Sequence, residues 1–376
     1  PMMKSLGYSP EFAGAVEAAA STGGQLMPPI MGAAAFLMAE FTGVPYIQVV
    51  KAAVIPAVLY YIGIWSGVHL EAKRLGLKGI PRDQLPKVGP LLLEKGHLIL
   101  PLVAIVYLLV TGRTPMRAAL WAILLSIVAC MLRRSTRIKL IDIVDGLEQG
   151  ARGALGVVIA CATAGIIIGV VTKTGLGLKM ATALIDFAGG KLLPTLFFTM
   201  IASIILGMGV PTTANYVITS TIAAPALLHL GVPTMAAHMF AFYFGIIADV
   251  TPPVALAAYA GSGIAKGDPM KTAFNASKLA IAAFLVPYMF VMSPVLLMMN
   301  ATLPLVLRVM ATAIIGMVGI GAAVEGYLLT DVTWPERLLL LAGGLLMLDP
   351  GKFTDFIGLA LLGGGFFIQV LTARRA

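Results

Sequence analysis

The residues best equipped for chemistry lie in three short stretches flanked by apolar sequence. The first, GIIADVTPP (Gly245–Pro253), sets a carboxylate, a hydroxyl and two prolines in the middle of an oily run. Asp249 at membrane depth is a functional candidate, because an ionisable group in hydrocarbon is costly unless it has a ligand or a partner. Thr251 reads as an N-cap, and Pro252 and Pro253 as the start of a new short helix, where the missing N–H costs nothing. The competing reading is a loop at the membrane surface with Asp249 in water. The second stretch, LGMGVPTTANYVITSTIAAP (Leu206–Pro225), is an apolar helix broken by glycine and proline and then rich in hydroxyls. The third, STGGQLMPP (Ser21–Pro29), is small and polar. Breaks of this kind expose backbone carbonyls that coordinate cations and helix N-termini that hold anions.

Other chemistries have less support. Ser262 in AGSG could serve as a buried nucleophile with His229 or His238 as its base, but the chain has no GxSxG elbow, and the Gly-Ser-Gly reads as a flexible turn between hairpin arms. An aspartyl hydrolase needs a second membrane aspartate, for which Asp186 beside AGGK is a poor candidate. Cys130 and Cys161 both fall in apolar runs and read as small core residues. There is no CxxC and no HExxH, and His69, His97, His229 and His238 are scattered, which argues against a metal enzyme.

The elements that carry these stretches follow from composition. Hydrophobic residues make up 59% of the 376, and charged residues only 11%; the mean hydropathy is +0.96. A soluble domain carries about twice that charge. Apolar runs at Val157–Val171, Leu192–Met208, Leu279–Met299, Val309–Val324 and Phe356–Leu371 approach or reach the ~20 residues that span a bilayer, and the runs Val103–Val110 and Ala118–Leu132 flank a short turn. A β-barrel would alternate over shorter segments, and no such alternation is present. The fold class is therefore all-α, a polytopic membrane protein.

The net charge of +9 is a topology signal rather than a nucleic-acid signal. Lys73, Arg74, Lys78, Arg82 and Lys87 cluster in one loop, and Arg133, Arg134, Arg137 and Lys139 in another. Two apolar spans separate these loops, joined by the turn GRTPMR, so both loops lie on one side, read as cytoplasmic. Gly67–Gly96, which holds the first basic cluster, is amphipathic and punctuated by proline, the pattern of an arm along the interface. Arg134–Arg152 also fits an interfacial helix, with Ile138, Ile141 and Val144 at helical spacing. Lys173 and Lys179 read as snorkelling to the interface.

The chain repeats itself. Laid on Pro225–Ser277, the segment Pro1–Ala53 needs no gap, and four of its five prolines meet a proline. Pro28-Pro29 falls on Pro252-Pro253, Gly43 on Gly267 and Pro45 on Pro269. Each copy reads as an apolar helix, a polar break, a short arm, a Gly-x-Pro turn and a long helix. The broken helix Leu206–Pro225 precedes the second copy, and the repeat predicts an equivalent before Pro1, so the natural protein is expected to extend further N-terminally. Paired broken-helix units are the pattern of secondary transporters, because irregular backbone at membrane depth must line a cavity. Whether the copies are inverted is left open by the sequence. The expected organisation is a first repeat at 1–65, a scaffold arm, hairpin and linker helix at 66–150, a second repeat at 151–294 and a C-terminal extension with further spans at 295–376.

At these residues the chain resembles a known family. GMGVPTTANY, GIIADVTPPVALAAYAGSGIAKGDPMKTA and STGGQLMPPIMG are similar to the large membrane subunit of tripartite ATP-independent periplasmic (TRAP) transporters, closest to the fused permeases that work with TAXI-type binding proteins. The likeness covers roughly Pro1 to Pro294. It implies an elevator-type, sodium-coupled importer of organic acids in the bacterial inner membrane, fed by a soluble binding protein outside it, with no cofactor beyond sodium. Carried onto this chain, the resemblance places sodium near Gly207, Met208, Gly209, Val210 and Pro211, and near Gly245, Asp249, Val250 and Thr251. It places a carboxylate substrate near Ser21, Thr22, Gly23, Gly24 and Gln25, and near Thr212, Thr213 and Asn215. The bland alternatives are capping or interhelical hydrogen bonding for Thr212, Thr213 and Asn215, and close helix packing for Gly207 and Gly209. A passive channel or a proton-coupled carrier is the rival function, and an intramembrane hydrolase a more distant one.

Overall fold

The computed structural model describes residues 1–29, 31–80, 85, 87–299, 301–349 and 351–374; within the helix Leu140–Thr174 the side chains at 156, 157, 160, 161, 164 and 168 are not described. Arg82 and the Cys161 side chain therefore lie outside the described residues. Eighteen α-helices are present among the described residues. They begin with α1 (Met2–Ser5), α2 (Pro10–Gly24), α3 (Ala34–Thr42), α4 (Tyr46–Arg74), α5 (Val88–Lys95), α6 (Leu100–Val110) and α7 (Pro115–Met131). Next come α8 (Leu140–Thr174), α9 (Leu176–Phe187), α10 (Leu192–Gly207), α11 (Thr212–His229), α12 (Thr234–Ile247) and α13 (Leu256–Ala265). The last are α14 (Pro269–Leu279), α15 (Ile281–Met292), α16 (Leu303–Glu325), α17 (Trp334–Leu348) and α18 (Lys352–Ala373). The described residues hold no strand beyond one isolated bridge, Tyr327 to Asp331.

Local sequence sets the helix ends. Ser9 accepts a hydrogen bond from the Phe12 N–H to start α2, and Asp268 accepts one from the Lys271 N–H to start α14, each with proline at the next position. Gly43 and Gly326 stop α3 and α16 in the left-handed conformation that glycine adopts freely. Five segments are long and apolar enough to cross a membrane: Tyr46–Arg74, Val88–Val110, Pro269–Met292, Leu303–Glu325 and Lys352–Ala373. Many large apolar side chains on α6, α7, α8 and α18 point outward, Trp121, Val158 and Phe367 among them. A bilayer accounts for that surface, and the chain is a multi-pass membrane protein. The expected interfacial helix near Arg134–Arg152 and the apolar run after it are one continuous helix, α8.

The sequence repeat returns as structure. The breaks after α2 and α12 both contain a cis Pro–Pro peptide, Pro28-Pro29 and Pro252-Pro253, and both pass through a residue at positive φ, Met31 and Ala255, before the short arms α3 and α13. The two copies also run in opposite directions. α4 and its equivalent, α14 with α15, pack together with their order reversed: a Cβ on Gly63 would lie 2.8 Å from the Ala282 Cβ, and one on Gly67 would lie 2.8 Å from Leu279 Cδ2. At one end the start of α2 meets the end of α13, where the Asp268 N–H donates to Glu11 Oε1 (3.3 Å) and Lys4 Nζ donates to the Ala265 carbonyl (2.6 Å). At the other end Thr42, Gln48 and Lys51 share a cavity with Thr234 and Met235 at the start of α12. The repeats are inverted, an orientation the sequence had left open.

α12 is the hub, buried from Met235 to Ile247 and packed by α10, α11, α3 and α15. Its Phe240 and Phe244 meet Tyr288 edge-on. The C-terminal helices form a layered attachment. α16 lies on α4, α17 on α16 and α18 on α17. Small residues set these crossings: a Cβ on Gly316 would lie 2.8 Å from the Gly344 carbonyl oxygen, and one on Gly343 would lie 3.0 Å from the Gly358 carbonyl oxygen. A half-exposed Lys278 on α14 reaches the buried Glu325 carboxylate on α16 at 3.6 Å, tying the attachment to the repeats.

Candidate functional site

The hairpin α10–α11 turns at its tip through Met208, Gly209 and Val210. Gly209 sits at φ +72, where a side chain would be strained, and Pro211 supplies the fixed φ that enters α11. The tip lies against the break of α12: a Cβ on Gly209 would be 4.0 Å from Val254 Cγ1, and one on Gly207 would be 3.0 Å from the Ala248 Cβ.

Asn215, on the first turn of α11, joins the pieces. It is fully buried. Its Nδ2 donates to the Gly245 carbonyl at 2.6 Å and reaches the Gly207 carbonyl at 3.5 Å. Its Oδ1 is buried and has no hydrogen-bond partner. The glycines are there for space, since a Cβ on Gly207 would come within 2.5 Å of Asn215 Nδ2, and one on Gly245 within 2.9 Å of Asn215 Oδ1. The site is thus where the C-terminal ends of α10 and α12, with their carbonyl-negative poles, meet the positive N-terminus of α11.

Around this junction the other expected residues fall at different distances from the chemistry. Val250 is buried, and its carbonyl accepts from Ser277 Oγ (2.9 Å). Asp249 is half-buried and makes no hydrogen bond or ion pair among the described residues. Thr212 and Thr213 are half-buried with hydroxyls free of protein partners among the described residues. Three expectations are corrected. Thr251 does not cap a helix; its hydroxyl donates back to the Ile247 carbonyl (2.7 Å). The new helix starts at Leu256 rather than at the prolines, because the chain first turns through Ala255 at positive φ. The Gly261-Ser262-Gly263 segment is not a turn either. It lies inside α13, with Ser262 Oγ donating to the Tyr259 carbonyl (2.8 Å), and a Cβ on Gly261 would come within 2.6 Å of the Gly14 carbonyl oxygen on α2. Its glycines allow the two repeats to touch.

The first repeat contributes less directly. Ser21 is exposed and donates to Glu17 Oε1 (3.1 Å). Thr22 and Gly23 are buried, Gly23 under the Tyr60 ring. Gly24 faces open space, and Gln25 Oε1 is buried without a hydrogen-bond partner. The Tyr60 and Tyr61 hydroxyls donate to the Ala19 and Ala20 carbonyls (2.7 and 2.9 Å), which occupies part of the α2 terminus. α2 touches the turn Ala248–Val250, but no hydrogen bond links residues 21–25 to the Asn215 junction among the described residues.

Some participants were not singled out in the sequence. Thr195, Thr199 and Ser203 are buried on α10 in line with Gly207, and the Thr199 and Ser203 hydroxyls have no hydrogen-bond partner. Their four-residue spacing was a readable signal of one polar helix face. Tyr216 OH and His238 Nδ1 lie 2.9 Å apart in a buried pair behind the junction.

Inverted broken-helix units, with helix ends and an orphaned amide oxygen where the α10–α11 hairpin meets the break of α12, define a membrane transporter core. The family model of the tripartite ATP-independent periplasmic transporter, DctM component, matches residues 1–305, and the chain belongs to that family. It is therefore a TRAP transporter membrane permease, a non-enzymatic subunit that works with a periplasmic binding protein. None of the curated proteins matches the chain significantly. α17 and α18 lie wholly beyond the matched residues.

Proposed function

We propose that the chain is the permease of a sodium-coupled importer of organic acids, delivered by a TAXI-type binding protein outside the inner membrane. The observation that carries this reading is Asn215. A buried amide oxygen without a partner is costly unless a ligand completes it. The Nδ2 of the same amide bonds the carbonyl ends of two helices, so Oδ1 sits beside an oxygen-rich and locally negative setting that suits a hard cation such as sodium. Asp249, unpaired at the end of the same broken helix, adds negative charge. The free hydroxyls of Thr212 and Thr213 and the N-terminus of α11 offer the opposite polarity to a carboxylate. Cation and acid would then share one hairpin tip, which couples their binding. In this reading the repeats at 1–65 and 151–294 form an elevator-type moving body, 66–150 its scaffold and 295–376 an attachment to it.

The test is sodium-dependent stabilisation of the purified permease, with potassium or choline holding ionic strength constant. A ligand that binds only the folded state raises stability as RT ln(1 + [L]/Kd). The reading expects the unfolding temperature to rise with sodium and not with the other cations. An identical response to all three removes the sodium site.

A further inference from the structure

A second site lies away from the transport core, at the turn of the α6–α7 hairpin. Leu108, Arg113, Arg117 and Trp121 line a cavity of about 330 Å³ there. Both arginines are exposed, and neither has a carboxylate within ion-pair distance among the described residues. Arg74, Arg152, Lys278 and Arg308 all have such partners. The N-terminus of α7, capped by Thr114, adds its positive pole to the same turn. Below Arg117, the exposed side chains Trp121, Leu124 and Val128 continue down one face of α7. At 1.5 Å per residue the stripe from Trp121 to Val128 is roughly 10 Å long.

A soluble anion would use the arginines and leave the stripe bare. A phospholipid uses both. The geometry points to a site for an anionic phospholipid, its phosphate between Arg113 and Arg117, Trp121 at the level of the glycerol, and an acyl chain along Leu124 and Val128. Guanidinium groups suit phosphate because they donate two parallel hydrogen bonds, and tryptophan favours the membrane interface. Each basic residue near an anionic surface enriches the anionic lipid about five-fold, so two give roughly thirty-fold. The inference is independent of the sodium site.

Only three tryptophans are present, which makes the site directly observable. In a Trp65→Phe/Trp334→Phe protein, Trp121 alone fluoresces. Reconstituted into phosphatidylcholine vesicles, it reports contact with brominated phosphatidylglycerol or brominated phosphatidylcholine. The expected half-quenching mole fraction is roughly thirty-fold lower for the anionic lipid, and Arg113→Gln or Arg117→Gln raises it about five-fold each. The double Gln variant abolishes the preference, the double Lys variant keeps most of it, and Arg133→Gln at the hairpin's other end leaves it unchanged. Equal quenching by both lipids in the Arg-bearing protein overturns the proposal. So does a preference that survives the double Gln change, or displacement of the lipid by inorganic phosphate, which would mark a site for soluble anions.

Discussion

Replacing Gly207 by alanine tests the junction at its tightest point. The added methyl would lie 2.5 Å from Asn215 Nδ2 and 3.0 Å from the Ala248 Cβ. Ordinary contact needs about 3.5 Å, so the amide must retreat by about 1 Å. Its 2.6 Å hydrogen bond to the Gly245 carbonyl then stretches beyond useful length. Loss of a neutral hydrogen bond costs about 0.5–1.5 kcal/mol, and stranding a buried polar group about 1–3 kcal/mol. Alanine's better helix propensity returns about 0.5–1 kcal/mol of stability, so overall stability should fall only modestly. Sodium binding has no such compensation, because Oδ1 moves with the amide. We expect at least a tenfold weaker apparent sodium affinity, about 1.4 kcal/mol, in unfolding-temperature titrations of the purified protein. Gly263→Ala is the control, since a methyl there meets nothing within 4 Å. An unchanged sodium titration in Gly207→Ala would refute the reasoning that Asn215 holds the ion.

Three further outcomes follow from the packing. Asn215→Asp removes the donor to the Gly245 carbonyl and sets two oxygens against each other, so stability without sodium should drop by about 1–3 kcal/mol in thermal unfolding; unchanged stability would mean the bond carries no weight. Gly261→Ala would press a methyl to 2.6 Å from the Gly14 carbonyl oxygen, and parting the two repeats should cost about 1–3 kcal/mol where Gly263→Ala is neutral or better; equal stability of the two variants would contradict the crossing. Lys278→Met strands the buried Glu325 carboxylate, and the loss should be partly recovered in Lys278→Met/Glu325→Gln. A double variant no more stable than the single would show that Lys278 acts by something other than its charge.

What the sequence revealed depended on whether a feature needs special residues. The breaks were legible because Pro28-Pro29 and Pro252-Pro253 sit at the same spacing from Gly43 and Gly267. The inversion was not, because it resides in which side chains meet, Gly63 with Ala282 and Gly67 with Leu279. Gly261 and Gly263 read as a turn because glycine marks turns in most settings, whereas between membrane helices small residues mark close approach. Asn215 was named through the family resemblance, as a substrate contact, but the reason for Gly207 and Gly245, room for its amide, needed the fold. α8 looked divided because its charge pattern changes near Arg152, yet one helix can run from an interface into hydrocarbon. α17 was left out of the apolar runs, although Thr333 and Glu336 spell a capping box at its start, with the Glu336 carboxylate accepting from the Thr333 N–H at 2.7 Å.

The central claim is that sodium and an organic acid are bound together at one hairpin tip. Its most direct test is uptake of labelled organic acids into proteoliposomes holding the natural permease, with its binding protein outside, with and without an inward sodium gradient. The account predicts accumulation only when both the binding protein and the gradient are present, and its loss in Asp249→Asn and Thr213→Ala. Uptake that ignores the sodium gradient would contradict it and leave a channel or a proton-coupled carrier in its place.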